Sequence, residues 1–216
     1  MNLIDFILHI DVHLAELLAD YGIWIYAILF LIIFVETGLV VMPFLPGDSL
    51  LFAAGMLAAQ YPESLNIWLV IALLLIAAII GDSLNYSIGK NIGNRMLNFK
   101  ILGKKPVQPQ HIEKTHDFYN KYGSKTIVIA RFVPIVRTLA PFVAGIGKMN
   151  YSTFISYNIL GAILWVVGIT LTGFFLGNIP LIKDNFSKVV LLIILISVLP
   201  IIFSVWKEWR KNKQTT

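Results

Sequence analysis

The chain has 216 residues, of which 57% are hydrophobic and 13% charged, and its formal net charge is +5. Soluble domains average about 45–50% apolar and about 25% charged residues, so this composition excludes an ordinary soluble domain. It predicts an all-α polytopic membrane protein with a single membrane domain over residues 1–216, because only helices and closed barrels span a bilayer and long apolar runs indicate helices. Cysteine is absent, which excludes disulfides and thiol catalysis.

The first predicted element covers residues 1–20. Acidic and histidine side chains recur there at helical spacing among aliphatic ones, without the basic start or small-residue cleavage site of a signal peptide. The pattern predicts an amphipathic helix that lies on the membrane surface or against the bundle.

Apolar runs next predict four transmembrane helices over 21–37, 66–89, 151–177 and 187–206. Two other apolar stretches, 38–60 and 126–147, contain charges, prolines and glycines that do not suit a lipid-facing helix. An arginine at mid-membrane depth costs about 2.5–3.5 kcal/mol on the lenient insertion scale, and proline removes a backbone donor. We therefore predict two re-entrant hairpins. Their expected breaks are at Pro46, Gly47, Pro134 and Pro141.

Basic residues decide between this arrangement and one in which every apolar run crosses, giving six spans. They are concentrated in 90–125 and in the tail 207–216. Basic segments beside spans mark the cytoplasmic side, and they explain the positive charge better than a nucleic-acid surface does. Only the four-span arrangement places both segments, and both termini, in the cytoplasm.

The two hairpin stretches also resemble each other. The first has Phe44-Leu45-Pro46 and then Ala54-Gly55, and the second has Phe132-Val133-Pro134 and then Ala144-Gly145. Together with their opposite predicted orientations, this indicates an inverted repeat. Transporters often bind substrate between such repeats, at broken helices near the midplane.

Four charges stand in these stretches or beside them: Glu36, Asp48, Arg131 and Arg137. One interpretation is a pair of buried ion bridges that hold the hairpins together. Buried ion pairs are a weak source of stability, however, and ionisable groups inside a membrane are functional by default. We favour a water-lined binding pocket.

Other polar residues are weaker candidates. Asp82, Asn85 and Tyr86 share one helix face, and they form either a polar wall of the same pocket or a packing face. His111 and His116 are five residues apart and so face different ways, and we expect neither a metal site nor another cofactor. Enzyme motifs are absent, and we expect no enzymatic activity. A seam of spaced polar and small residues in the third span is interpreted as a packing face: Asn158, Gly161, Trp165, Gly168 and Thr172.

At these positions the sequence resembles the DedA family of membrane proteins, also called the SNARE-associated or VTT-domain family. The resemblance rests on Glu36 with Pro46-Gly47-Asp48, on Gly81-Asp82-x-x-Asn85-Tyr86-x-x-Gly89, and on Arg131-Phe132-x-Pro134-x-x-Arg137-Thr138-x-x-Pro141-x-x-Ala144-Gly145. Together these pieces span most of the chain in order.

The resemblance implies paired re-entrant hairpins and lipid transport in the bacterial cytoplasmic membrane. Bacterial members are associated with the return of undecaprenyl phosphate to the inner leaflet, distant relatives scramble phospholipids, and some members are linked to proton-dependent transport. Residues that are critical in the family correspond here to Glu36, Asp48, Arg131 and Arg137.

The chemistry of these four residues fits such a substrate. Arginines donate bidentate hydrogen bonds to phosphate, and the acids could occupy the arginines until protonation releases them. The expected partners are a polyprenyl phosphate or phospholipid, the bilayer and protons, and a homo-oligomer is compatible with the sequence. Three other functions stay open: a phospholipid scramblase, a proton-coupled antiporter of small ions or drugs, and a structural or assembly protein in which the ion pairs only hold the helices together.

Overall fold

The computed structural model describes residues 22–39, 47–98, 109–180 and 192, and within these residues the structure is helical, with no strand. This confirms the all-α class for the described part of the chain. The predicted amphipathic helix over 1–20, the fourth span over 187–206 (apart from position 192) and the tail over 207–216 lie outside the described residues. So does Pro46.

Sequence signals account for where several helices begin. The Asn66 side chain accepts hydrogen bonds from the backbone N–H groups of Trp68 and Leu69, and the Asn150 side chain caps the backbone of Ser152 in the same way. In chain order the helices are α1 Trp24–Gly38, α2 Gly47–Gln60, α3 Ile67–Asn98, α4 Pro109–Tyr122, α5 Thr126–Ala130, α6 Pro134–Ile146, α7 Tyr151–Ala162 and α8 Gly168–Gly177. A 3₁₀ turn, Gly123–Lys125, precedes α5, and a π-helical turn, Ile163–Val167, joins α7 to α8.

Within the part of the chain that the structure describes, two segments are long and apolar enough to cross a membrane: Ile67–Gly93 and Tyr151–Gly177, with 27 residues each. At 1.5 Å per residue each is about 40 Å long, more than the roughly 30 Å of the hydrocarbon layer. The number of spans and the re-entry of the hairpins stay predictions.

The region 90–125 is more helical than a connecting loop. Helix α3 continues to Asn98, beyond the predicted end of the span at 89, because the charges that begin at Lys90 change the polarity of the helix without ending it. A short amphipathic helix, α4, lies in this region, and Gly123 follows it with a left-handed φ of 56°.

The second predicted hairpin stretch contains a broken helix, whereas residues 40–46 of the first lie outside the described residues. In the second, α5 ends at Ala130, Val133 is extended, and Pro134 is at the start of α6. Pro141 was expected to be a further break, and this is wrong: α6 runs through it to Ile146. Neighbouring helices support the backbone there, since the Tyr119 hydroxyl donates a hydrogen bond to the carbonyl oxygen of Ala140.

Helix α2 packs against α8 through glycines that allow backbone to approach backbone. A Cβ atom added to Gly55 would lie 2.0 Å from the carbonyl oxygen of Thr170. One added to Gly173 would lie 2.2 Å from the carbonyl oxygen of Phe52. Only glycine fits at such a crossing.

The contact between α6 and α3 repeats this arrangement. A Cβ added to Gly145 or to Gly89 would lie 2.1 Å from the carbonyl oxygen of Tyr86 or of Phe142, respectively. In both crossings, each glycine meets the carbonyl oxygen of a residue on the other helix. The partner glycine on that helix lies three positions after this residue. The matched crossings support the predicted internal repeat.

We expect Gly55→Ala and Gly145→Ala to destabilise the protein, because the added methyl group meets backbone that cannot rotate away. Overpacking typically costs about 1–3 kcal/mol, and a backbone clash belongs at the upper end. Gly168→Ala is the matched control, since its Cβ would have no atom within 4 Å and alanine is favoured over glycine in a helix. Thermal unfolding in detergent measures the difference, and equal midpoints for the three variants would contradict the close crossings.

Candidate functional site

Arg137 on α6 binds two carboxylates that come from different helices. Its Nη2 donates to Glu36 Oε1, and its Nη1 donates to Asp48 Oδ1 at 2.8 Å. The side chain of Glu36 is 1% exposed and that of Arg137 11%, whereas that of Asp48 is 28% exposed. This cluster therefore extends from a fully buried acid to one that solvent or a ligand can reach.

The backbone positions both acids at the start of α2. Asp48 is in the first turn of α2, and Glu36 is in the last turn of α1. A Cβ on Gly47 would lie 1.9 Å from Glu36 Oε2, so the absence of a side chain at Gly47 lets that carboxylate approach the helix end. The positive end of the helix dipole stabilises negative charge there.

Arg131 forms a second, more deeply buried cluster. Its Nη2 donates to Asp82 Oδ2 at 2.5 Å and to Asn158 Oδ1 at 2.6 Å, and the Asn158 Nδ2 donates to the carbonyl oxygen of Ile79. The side chains of Arg131 and Asp82 are 2% and 6% exposed. Both contacts use one nitrogen of the guanidinium, and the buried Nε and Nη1 have no hydrogen-bond partner among the described residues. Buried donors are normally paired, which makes these two exceptional.

Trp165 joins the two clusters. Its indole ring lies 5.6 Å from the guanidinium carbon of Arg131 and 5.1 Å from that of Arg137, both within the range of a cation–π contact. Its Nε1 donates a hydrogen bond to Asp48 Oδ1 at 2.7 Å. Trp165 is fully buried at the centre of the π-helical turn, a feature that frequently marks functional sites.

Asn85 supports the site through the backbone. Its Nδ2 donates to the carbonyl oxygen of Thr37, next to Glu36, and to that of Thr138, next to Arg137. Tyr86 is not part of the pocket wall, because its hydroxyl donates to the carbonyl oxygen of Met149 and its ring stacks on Phe154. Asp82 thus pairs with Arg131, Asn85 binds the backbone beside Glu36 and Arg137, and Tyr86 packs elsewhere.

Two expectations about the site need correction. Glu36 and Asp48 do not divide the two arginines between them: both bind Arg137, while Arg131 binds Asp82, which was expected only in a supporting wall. The seam in the third span is not only a packing face, since Asn158 and Trp165 hydrogen-bond to charged groups of the site.

Gly161, from the same seam, gives Arg131 its space. A Cβ there would lie 3.1 Å from the Cδ and Nε atoms of Arg131. Gly168 and Thr172 stay outside the site, because a Cβ on Gly168 would meet open space and the Thr172 hydroxyl bonds to its own helix. No group of three histidine, cysteine, aspartate or glutamate residues that could hold a metal ion occurs in the described part of the chain.

Buried ion pairs packed among apolar helices, two of which in the described part of the chain are long and apolar enough to cross a bilayer, are typical of a membrane protein with a charged interior. Comparison with known proteins agrees with this class. The VTT domain matches residues 45–175, which is more than half of the chain. No solved structure matches the chain significantly.

Three relatives illustrate the similarity. Protein DedA of Escherichia coli strain K12 is 55% identical over 208 residues, which cover 96% of this chain and 94% of that protein. The uncharacterized membrane protein ML0287 of Mycobacterium leprae is 39% identical, over 85% of this chain and 81% of its own length. Inner membrane protein YqjA of Escherichia coli strain K12 is 32% identical, over 88% and 87%. The chain belongs to the DedA family of VTT-domain membrane proteins.

Proposed function

We propose that this protein moves a lipid phosphate across the bacterial cytoplasmic membrane, with a polyprenyl phosphate such as undecaprenyl phosphate as its substrate. The observation that carries the proposal is the buried Arg131 guanidinium, whose Nε and Nη1 nitrogens have no partner among the described residues, next to the largely buried Arg137. A phosphate monoester supplies several strong acceptor oxygens, and arginine binds them in a bidentate geometry.

The substrate suits a site that is charged and enclosed by apolar helices. A polyprenyl phosphate has a compact anionic head, so only the head needs a polar path while the tail stays in lipid. Family membership supports a transporter-like role, and the proposal assigns the two arginines to the head group. Transport, rather than catalysis, is the proposed activity.

The charge balance of the site favours coupling to protons. With every group ionised, Glu36, Asp48 and Asp82 against Arg131 and Arg137 leave one net negative charge in a buried cluster. Uncompensated charge in a low-dielectric interior is costly, so uptake of a proton by an acid is favourable. Arg137 donates to Glu36 Oε1 and not to Oε2, so a proton on Oε2 would leave this hydrogen bond in place. An arriving phosphate adds negative charge and strengthens the same demand.

The competing functions differ in what the arginines must do. A phospholipid scramblase also binds phosphate but needs no ion gradient. An antiporter of cations would gain nothing from two buried arginines. In a structural protein the ion pairs would never separate.

A binding measurement tests the proposal. Purified protein in nanodiscs should bind a polyprenyl phosphate and not the matching polyprenol, which has the same tail and no phosphate. Zwitterionic phospholipid in excess should compete weakly. Lys125→Ala is the control, because it removes an exposed cation outside the site. Equal affinity for the phosphate and for the alcohol would overturn the assignment of the head group to the arginines.

We further propose that both termini are cytoplasmic, with four spans and two hairpins. Reporter tags at the C-terminus and within 100–110 should then be labelled from the cytoplasm, and a tag within 179–185 from outside. The reason is that basic segments beside spans are retained in the cytoplasm. An external C-terminus would restore the six-span arrangement.

A further inference from the structure

We infer that Trp165 is a positioning residue that retains Asp48 while Arg137 is transferred from that carboxylate to a substrate phosphate. This inference rests on the proposed function and adds to it a residue that contacts both arginines and one acid. It concerns how the site can open without leaving a buried charge unsatisfied.

One oxygen of Asp48 is an acceptor that Arg137 and Trp165 share. Asp48 Oδ1 accepts one hydrogen bond from Arg137 Nη1 at 2.8 Å and another from Trp165 Nε1 at 2.7 Å. If a phosphate replaced Asp48 on Arg137, the carboxylate would lose its cation. The indole N–H is the donor that would stay with it, and a hydrogen bond to a charged acceptor is stronger than a neutral one.

The ring of Trp165 serves a second purpose in the same exchange. Both guanidinium carbons lie within 6 Å of the ring centroid, at 5.6 Å for Arg131 and 5.1 Å for Arg137. The ring compensates part of the positive charge that each arginine would expose when its carboxylate leaves. The indole therefore has a partner for each product of the exchange: its N–H for the acid and its ring for the cations.

The backbone at Trp165 forms a π-helical turn, Ile163–Val167. The π-helical turn separates α7, whose Asn158 contacts Arg131, from α8, whose glycines pack on α2. Single π-helical turns within α-helices are uncommon and are enriched at functional sites. Asp48 itself is on α2, so the turn lies between the two surfaces that must stay in register.

A double-mutant cycle tests the inference. Trp165→Phe keeps an aromatic ring and removes the N–H, and we expect it to weaken binding of a polyprenyl phosphate about tenfold, the worth of a charged hydrogen bond. In an Asp48→Ala background no acceptor remains, and the same change should weaken binding by at most about threefold, the effect of the smaller ring. Trp68→Phe is the matched control, because its side chain is 68% exposed.

A purely structural role for Trp165 would give the same loss in both backgrounds, and that result would overturn the inference. So would the absence of any loss in either background. Thermal unfolding of each variant identifies a loss that is due to misfolding.

A second measurement does not depend on lipid binding. The indole ¹⁵N–¹H resonance of Trp165, identified by its absence from Trp165→Phe, should move in Asp48→Ala, because its acceptor is lost. In Arg137→Gln it should stay near its wild-type position, because the indole retains Asp48 without the arginine. If the indole resonance of Arg137→Gln had the chemical shift seen in Asp48→Ala, the inference would be overturned. If the wild-type protein bound no phosphate lipid, the proposed function would fail, while this comparison would still decide whether Trp165 holds Asp48.

Discussion

Transport of a phosphate lipid is expected to be abolished by Arg131→Ala and by Arg137→Ala. Each arginine would donate several charge-assisted hydrogen bonds to the phosphate, and each such bond contributes about 1.5–3 kcal/mol. Loss of two bonds from one guanidinium therefore reduces binding by a factor on the order of a hundred or more. Lysine at either position should retain only part of the activity, because the planar fork is lost. Flux into proteoliposomes measures the effect.

Alanine also leaves carboxylates without their cation, so loss of fold must be separated from loss of function. Removal of one partner of a buried pair destabilises a protein by about 3–5 kcal/mol. The double variant Arg131→Gln with Asp82→Asn removes one charge of each sign, so it leaves the net charge of the site unchanged, and it keeps amide hydrogen bonding. It should be stable in thermal unfolding and still inactive. If it transported lipid at the wild-type rate, the ion pair Arg131–Asp82 would have only a structural role, and the role assigned to Arg131 would be wrong.

Glu36→Gln and Asp48→Asn are expected to remove the dependence of transport on a pH gradient. Both changes keep the size of the side chain and remove the titrating charge. Arg137 loses one of its two acidic partners and keeps the other, so the destabilisation should be smaller than for the arginine variants. Binding of the phosphate lipid should be retained or become tighter, because the arginine loses a competitor. Glu63→Gln, at an exposed position, is the matched control.

Four outcomes of this experiment are distinct. Loss of gradient dependence with binding intact supports coupling to protons. Severe destabilisation of both variants supports a purely structural role for the ion pairs. A wild-type protein whose lipid equilibration ignores the gradient is a scramblase. A stable Asp48→Asn protein that responds fully to the gradient would exclude Asp48 from coupling.

Sequence alone predicted the elements of the site better than their pairing. The four charges were identifiable because an ionisable residue among apolar neighbours has no ordinary explanation in a membrane protein. Their partners were not, since pairing depends on how α3 and α7 face the hairpin helices. The third acid, Asp82, looked like one polar residue of a helix face until Arg131 was found against it.

Trp165 and Asn158 were missed for a related reason. They are seven residues apart and so lie on one helix face, and that spacing was visible as a seam. A seam of tryptophan, asparagine and glycine is equally suited to packing against lipid-facing helices and to lining a site. Only the identity of the facing helix decides, and the sequence does not contain it.

Helix ends and breaks show the same limit. Pro134 begins α6 as expected because proline suits the first turn, whereas Pro141 was misjudged because tertiary contacts support the helix around it. The internal repeat was indicated only weakly by its short motifs. The structure supports it more strongly through glycine crossings between segments that are distant in sequence, such as Gly145 with Tyr86.

The most direct test of the central claim is transport of a labelled polyprenyl phosphate into proteoliposomes, with and without an imposed pH gradient. The account predicts flux with the wild-type protein that is faster with the gradient, and no flux with the Arg131→Gln, Asp82→Asn variant. Reconstituted wild-type protein that binds the lipid in nanodiscs but moves none of it, under either condition, would contradict the account.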